Sequence, residues 1–245
     1  NNFPVKKVVT IDKGAGLNQV TENLYKIGII QFPFFFKTLV YFTVGQKNVR
    51  AGDYFFEEPL PMVGILKRVT GNIHGLSTIR VTILEGWSNR QIGEHFEKIG
   101  FLNKNEWLKA AEGQEGYLFP DTYFLLPNYS SEKIVALMRD NFAKKVNSVL
   151  YAEIKKGDRT LEQIIIMASL LEKEFRSLED ARIISGILWK RLDAGMGLQV
   201  DAALTYVTGK PSLQLTQEDL DIDSLYNTYR YRGFQPTPIA NPGLE

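Results

Sequence analysis

Apolar positions recur at helical spacing through much of the chain, and residues 160–175 give the clearest case. Thr160 and Gln163 are spaced as a capping box, which predicts a helix that begins there. One apolar stripe follows at helical spacing and comprises Ile164, Met167, Ala168, Leu171 and Phe175. Ile165, Ile166 and Leu170 add apolar surface outside that stripe. A helix that is apolar on most sides belongs in the interior of a domain.

A gapless internal repeat organises the first half of the chain. The segment that begins at Val9 recurs from Val81, at an offset of 72 residues. Each copy predicts a short strand, a glycine turn and an amphipathic helix that ends in Lys-Ile-Gly. Between the copies, residues 49–56 predict a turn and an aromatic strand, and residues 61–70 predict a helix. Further downstream, the pattern predicts helices over residues 130–149, 179–194 and 201–208.

These elements predict an α+β fold in two domains. Residues 8–56 follow the order strand, helix, helix, strand, which suits a small module. The polar, glycine-containing loop over residues 71–77 is the best boundary. We therefore expect a small module over residues 1–76 and a larger mixed α+β domain over residues 77–245.

Composition excludes several classes of function. The net charge of +1 gives no reason to expect nucleic acid binding, and the absence of cysteine excludes disulfides and thiolate metal sites. His74 and His95 have no metal-ligand spacing, and no nucleophile elbow accompanies either. We therefore predict no metal site. No run of 18 apolar residues is present that could span a bilayer.

Two carboxylates, Glu172 and Glu174, close the helix predicted over residues 160–175. Residues two apart point about 200° away from each other, so these side chains cannot act as a facing pair. Glu174 lies near Met167 and Leu170 on the helical wheel, and Glu172 lies beside Ile165. Either apolar neighbourhood would raise a carboxyl pKa, which suits a general acid. Geometry leaves both residues open as the acid, and a pair of ordinary solvated charges is the alternative.

Five strings in the chain occur in the order typical of one family. They are MASLLEKE (167–174), EGYLFPDTY (115–123), GLQVDAALTY (197–206), YNTY (226–229) and PIANPG (238–243). The chain resembles the endolytic murein transglycosylases of the MltG (YceG-like) family from about Val9 to its end. The resemblance implies that Glu174 is the catalytic acid/base. The chain departs from the family's usual pattern at residues 233–237, where it reads Gly-Phe-Gln-Pro-Thr.

The resemblance also implies a substrate, partners and a location. The substrate would be peptidoglycan glycan strands, cleaved internally to leave 1,6-anhydro-N-acetylmuramic acid ends without a cofactor. Partners would be peptidoglycan synthases (penicillin-binding proteins), and the module over residues 1–76 would be LysM-like. The family carries a single N-terminal membrane anchor before this point and continues past the Asn-Pro-Gly segment. We therefore expect an extracytoplasmic protein at the bacterial cytoplasmic membrane, with the anchor and the end of the catalytic domain outside this sequence.

Polar residues in the other matching strings are candidates for substrate contacts, because amides, carboxylates and aromatic faces bind sugars. The predicted set is Glu115, Gln199, Asp201, Tyr226, Asn227, Tyr229 and Asn241. Two rival functions stay open. One is a hydrolase that uses Glu174 as acid and Asp201 or Glu115 as base. The other is a peptidoglycan-binding scaffold without catalysis.

Overall fold

The computed structural model describes residues 3–43, 45, 49–175 and 177–244. The chain forms two compact units. The first comprises Asn1–Arg80 with Phe124–Tyr129, and the second comprises Val81–Tyr123 with Ser130–Glu245. Helices and strands are both present, so the predicted α+β fold class is confirmed. The assignment of a LysM-like module to residues 1–76 and a catalytic domain to residues 77–245 stays a prediction.

The first unit follows the predicted order of strand, helix, helix and strand, with one more helix after them. Its elements are β1 (Val8–Ile11), α1 (Leu17–Lys26), α2 (Pro33–Thr43), β2 (Gly52–Phe55) and α3 (Met62–Gly71). β1 and β2 pair in an antiparallel register that sets Val8 against Phe55. Their inner residues pack with the helices around Phe36, Val40 and Tyr54, all of which are fully buried.

The second unit is mainly helical. Its helices are α4 (Asn89–Lys98), α5 (Lys104–Ala110), α6 (Ser131–Lys145), α7 (Ser148–Ile154), α8 (Leu161–Glu174), α9 (Leu178–Asp193), α10 (Asp201–Thr208) and α11 (Gln217–Leu220). Two short strands, β3 (Ile79–Thr82) and β4 (Thr122–Leu125), pair with each other, and each strand has residues in both units. Among the described residues, no helix combines the length and the hydrophobicity that crossing a bilayer requires.

Both copies of the repeat fold as predicted, into a strand and a helix. The helices α1 and α4 are each followed by a glycine with positive φ, Gly28 (82°) and Gly100 (67°). Glycine adopts this conformation without the strain that a Cβ introduces, so it ends both helices at the same place in the repeat. Only the second copy has a capping box, formed by Ser88 and Gln91. The N-cap of α1 is Gly16, which has no side chain to cap with.

The helix α8 begins as predicted but buries a different face. The capping box of Thr160 and Gln163 is present. The buried residues are Ile165, Ile166, Met167, Ser169 and Leu170. The predicted stripe is therefore wrong as the buried face, because all its residues except Met167 are only partly buried, namely Ile164, Ala168, Leu171 and Phe175. Ser169 belongs to the buried face because its hydroxyl donates to the Ile166 carbonyl (2.7 Å) and accepts the Ile239 N–H (3.1 Å).

Candidate active site

Glu174 lies where two helix ends meet. It is the last residue of α8, and Phe175 turns the backbone into an extended conformation directly after it. The backbone N–H of Ala202, in the first turn of α10, donates to the Glu174 carboxylate. The N–H groups of a first helical turn have no partner within their helix, and they attract negative charge. The start of α10 therefore holds the carboxylate at the end of α8.

Partial burial raises the pKa of Glu174 above its ordinary value. The hydrogen bond from Ala202 opposes this shift, and the negative charge of Asp201 adds to it. The residue is nevertheless more than a third exposed, so it remains accessible. A carboxylic acid with a raised pKa keeps its proton to a higher pH than an ordinary glutamate, and one that faces solvent can donate that proton to a bound substrate.

A cavity of about 240 Å³ opens beside Glu174. We call it the Glu174 cavity. Its lining includes Ser88, Arg90, Lys173, Glu174, Thr205 and Tyr206. Ala202, Thr205 and Tyr206 share this wall because they are spaced i, i+3 and i+4 on α10. The cavity offers one acid, two cations, hydroxyl groups and an aromatic ring in one place.

Asp201 and Tyr229, two of the predicted substrate-binding residues, lie next to Glu174. The Tyr229 hydroxyl donates a hydrogen bond of 2.5 Å to Asp201 Oδ1. Partial burial raises the pKa of Tyr229 to about 12, and the charges of Asp201 and Glu174 contribute to that shift. Glu174, Asp201 and Tyr229 therefore form one electrostatic group, which joins the strings MASLLEKE, GLQVDAALTY and YNTY.

Glu172, the alternative acid, faces different surroundings. Its Oε2 accepts a hydrogen bond of 3.0 Å from the Gly243 N–H. Burial is the main cause that raises the pKa of Glu172, and the negative charge of Glu85 raises it further. The hydrogen bond from Gly243 lowers it. The direction of the pKa shift is thus the same for both glutamates and does not choose between them. Each glutamate accepts a hydrogen bond from a backbone N–H, so that feature does not choose between them either. The surroundings favour Glu174, since it is more exposed than Glu172 and lines the Glu174 cavity.

Glu115 lines a second cavity of about 390 Å³, which we call the Glu115 cavity. Arg90 and Tyr206 line both cavities. Glu115 Oε1 accepts the Asn89 N–H (2.9 Å), and Oε2 accepts the Tyr206 hydroxyl (3.2 Å). Burial raises the pKa of Glu115 to about 7, although these hydrogen bonds and the charges of Lys173 and Arg90 favour the ionised form. Glu115 is therefore poised to change its charge near neutral pH.

Asn241 is a fully buried hydrogen-bonding centre. Its Oδ1 accepts the backbone N–H groups of Gly116 (2.9 Å) and Leu118 (3.0 Å). Its Nδ2 lies within hydrogen-bonding distance of the Trp87 carbonyl (3.0 Å), Asn89 Oδ1 (2.9 Å) and Glu115 Oε1 (3.4 Å). Asn241 thus ties the string PIANPG to the start of EGYLFPDTY and to the segment before α4. These contacts position Glu115 from inside the protein.

The remaining predicted residues divide between the interior and the surface. Asn227 is fully buried, and its side chain bonds the backbone of Leu220, Ile222, Tyr229 and Arg230. Tyr226 lines the Glu115 cavity and shares a hydrogen bond of 2.7 Å with Thr237. Gln199 is exposed, has a φ of 56°, and accepts a hydrogen bond from Arg191. A positive φ is uncommon for a residue other than glycine, so the loop holds Gln199 in one conformation.

Most lining residues of the Glu174 cavity were not among the predicted site residues, and Arg90, Lys173 and Tyr206 are the ionisable ones. Tyr206 contacts Glu115 across 91 residues of sequence, a relationship that local patterns do not reveal. Its place in GLQVDAALTY and its i+4 spacing from Ala202 are the signals that could have indicated it. Lys173 stands between the two glutamates, and Arg90 follows the second repeat's capping serine by two residues. Among the described residues, no group of three or more histidine and acidic side chains could hold a metal ion.

The mixed α+β fold and the partly exposed glutamate beside a polar cavity are features of proteins with a single-glutamate active site. Comparisons with known proteins then define the family. The model of the YceG-like family matches residues 9–245. The chain therefore belongs to the YceG-like family, and the resemblance found in its five strings is confirmed.

Curated relatives carry one name. The "Endolytic murein transglycosylase" of Bacillus subtilis strain 168 is 28% identical over 96% of this chain and 72% of the relative. That of Streptococcus pneumoniae strain R6 is also 28% identical, over 98% of this chain. The chain spans only 51% of the length of the pneumococcal protein. The crystal structure of a YceG-like protein from Listeria monocytogenes has the same fold, with a TM-score of 0.63 and 24% identity over 97% of this chain and 86% of the other.

Proposed function

We propose that this chain carries the catalytic activity of an endolytic murein transglycosylase. It would cleave the bond between N-acetylmuramic acid and N-acetylglucosamine within peptidoglycan glycan strands. The observation that carries the proposal is the placement of Glu174, with a raised pKa, at the edge of an open polar cavity. The names of the curated relatives supply the substrate class and the type of reaction.

In this proposal Glu174 performs both proton transfers. As the neutral acid, it protonates the glycosidic oxygen that leaves C1 of N-acetylmuramic acid. As the carboxylate, it then takes the proton from the C6 hydroxyl of the same sugar, which attacks C1 and closes the 1,6-anhydro ring. Glu174 ends the cycle protonated and no water is consumed. One group can do both only if its pKa lies near the working pH, and burial shifts Glu174 in that direction.

The neighbours of Glu174 would serve binding and electrostatics. The Ala202 N–H stabilises the carboxylate after the first proton transfer. Lys173 and Arg90, which line the same cavity, are suited to the lactyl or peptide carboxylates of the substrate. Tyr206, Tyr226 and Tyr229 offer aromatic faces for sugar rings. Asn227 and Asn241 would act indirectly, by fixing the loops that carry these groups.

A hydrolase is the second candidate, and one observation favours it. Asp201 is close enough to Glu174 to raise its pKa, so two carboxylates are present as in ordinary glycosidases. The two mechanisms give different products. Mass spectrometry of purified glycan strands after incubation with this chain separates them, since the proposal predicts anhydromuramyl ends and the hydrolase predicts reducing ends. Absence of cleavage by the folded protein would instead support a peptidoglycan-binding scaffold.

The wider role is part of the same proposal. An enzyme that cuts strands internally next to peptidoglycan synthases (penicillin-binding proteins) would terminate nascent strands at the extracytoplasmic face of the membrane. Internal cutting predicts that long strands shorten before small fragments accumulate, whereas cutting from an end releases small fragments at once. Size separation of the products over time distinguishes the two patterns.

A further inference from the structure

The helix α2 of the first unit is apolar on two opposite faces. Phe36 and Val40 are fully buried in the core. Phe34, Phe35, Tyr41 and Phe42 lie on the other side and are exposed by 75%, 64%, 61% and 81%. At about 100° per residue, the centres of these two groups lie about 180° apart around the helix. The outer face is therefore aromatic even though core packing does not require it.

These exposed rings form two groups along the same side of the helix. Phe32, 57% exposed, precedes the helix and lies edge-on to Phe35 with ring centres 6.2 Å apart. Phe34 and Phe35 (5.9 Å) pair in the same way, as do Tyr41 and Phe42 (5.8 Å). We call these five residues the aromatic face. Single exposed apolar residues are common on proteins, but a patch of several aromatic rings marks an interaction surface.

Charge indicates what that surface contacts. Residues 1–80 contain ten lysines and arginines and five acidic residues, a net charge of +5 in a chain whose total is +1. Lys37 extends from α2 itself, about 60° around the helix from Phe34. Aromatic side chains on one helix face, together with a surplus of basic residues, are the features that hold a helix in the interface of a membrane with anionic lipids.

Two other occupants suit the surface less well. A sugar-binding platform needs polar groups beside the ring, and four of the five side chains of the aromatic face are phenylalanines without a hydrogen-bonding group. A second copy of this chain would bring an identical unit of charge +5 against the first, and like charges oppose that contact. In a bilayer with anionic headgroups, the interfacial region accommodates the aromatic rings and the headgroups attract the basic residues.

We propose that the aromatic face of α2 inserts into the interfacial region of an anionic lipid bilayer, to which the basic residues of the first unit attract it. This contact is independent of the reaction at Glu174. It would hold the first unit against the membrane surface by a peripheral contact of its own.

Co-sedimentation of the 245-residue chain with lipid vesicles tests the proposal. We expect binding to vesicles of phosphatidylglycerol and phosphatidylethanolamine, weaker binding to vesicles of phosphatidylcholine alone, and weakening as salt is raised. The double variant Phe34→Ser/Phe42→Ser should bind the anionic vesicles at least about tenfold more weakly. The matched control is Leu213→Ser/Leu225→Ser, which removes two exposed leucines (101% and 64%) from the second unit and should bind as the parent does. All substituted positions are exposed, so circular dichroism should show unchanged folding.

Several outcomes would overturn the proposal. They are no vesicle binding by the folded parent chain, equal binding by the phenylalanine variant, or equal loss in the leucine control. If the phenylalanine variant instead loses binding to glycan strands, or loses a dimer seen by analytical ultracentrifugation, the surface serves a sugar or a second copy. A negative vesicle result would leave the assignment of Glu174 unaffected, because product analysis in solution requires no membrane.

Discussion

The backbone N–H of Ala202 donates a hydrogen bond to the carboxylate of Glu174, and so connects the start of α10 to the end of α8. This contact places the carboxylate beside Asp201, whose negative charge favours the protonated form of Glu174. The Ala202 N–H thus lowers the pKa of Glu174, and the Asp201 carboxylate raises it. A substitution at Asp201 can remove its charge and leave the Ala202 N–H in place.

Asp201→Asn should shift the pH dependence of cleavage. The variant keeps a side-chain oxygen for the Tyr229 hydroxyl but loses the charge, so the pKa of Glu174 should fall. Because protonated Glu174 is the active acid in our proposal, cleavage should be lost at a lower pH than in the parent, with little change under acidic conditions. Asp223→Asn is the control, since Tyr231 donates to Asp223 in a second tyrosine–aspartate pair. An unshifted profile in the Asp201 variant would contradict the coupling.

Glu115 should make the stability of the second unit depend on pH. Its pKa rises from 4.5 in the unfolded chain to about 7 in the fold, so the folded state binds more protons between these values. Stability is therefore full below pH 4.5 and falls as pH rises through about 7, by about 3 kcal/mol in total. Glu115→Gln should remove this contribution of about 3 kcal/mol in urea unfolding series and leave those of Glu172 and Glu174, whose pKa values are also raised. Glu112→Gln, at an exposed position, should retain the full pH dependence. The same slope in both variants would assign the dependence to another group.

Asn241→Ala should destabilise the second unit. It leaves the buried N–H groups of Gly116 and Leu118 without their acceptor and removes the amide from the Trp87 carbonyl and Asn89. We expect a loss of about 3 kcal/mol or more in the free energy of unfolding. Asn105→Ala, at an exposed helix position, should change it by less than about 0.5 kcal/mol. Comparable values for the two variants would show that Asn241 does not hold the loops together.

Gly116 and Gly113 form a matched pair for measuring crowding near Glu115. Both have positive φ, 84° and 69°, so alanine strains the backbone at either position by about 1–2 kcal/mol. A Cβ at Gly116 would lie 2.5 Å from Pro238 and 2.8 Å from Ile165, whereas one at Gly113 meets nothing within 4 Å. Urea unfolding should therefore show a larger loss for Gly116→Ala, by about 1–3 kcal/mol. Equal losses would mean that the loop shifts freely to admit the methyl group.

Local signals in the sequence predicted many starts and ends of elements, but the single helix predicted over residues 130–149 is wrong, because α6 ends at Lys145 and α7 begins at Ser148. The capping box of α8, the terminal glycines after α1 and α4, and the bounds of α10 depend on residues within a few positions of each other. The buried face of α8 was predicted less well, because tertiary partners choose it. Ser169 is buried through its hydrogen bond with Ile239, 70 residues away, and a hydropathy pattern counts serine as polar.

The residues of the candidate site could be predicted only where they lie in the five strings that match the family. Glu174, Asp201 and Tyr229 came from three separate strings, and the fold brings them together. The chain pattern gave no means to separate surface positions from interior ones, so Asn227 and Asn241 stood beside Gln199 in the predicted set although both are fully buried. The role of Tyr206 depends on a contact across 91 residues, and the pattern of α10 alone does not contain it.

Cleavage by Glu174→Gln and Glu172→Gln, compared side by side, tests the central claim most directly. Both residues close α8 and both have a raised pKa, so each variant is the control for the other. Mass spectrometry of glycan strands should show anhydromuramyl ends falling by at least about a hundredfold in Glu174→Gln, as expected when a general acid/base is lost, and nearly unchanged in Glu172→Gln. Full activity in Glu174→Gln, with loss in Glu172→Gln, would contradict the account and assign the acid to Glu172.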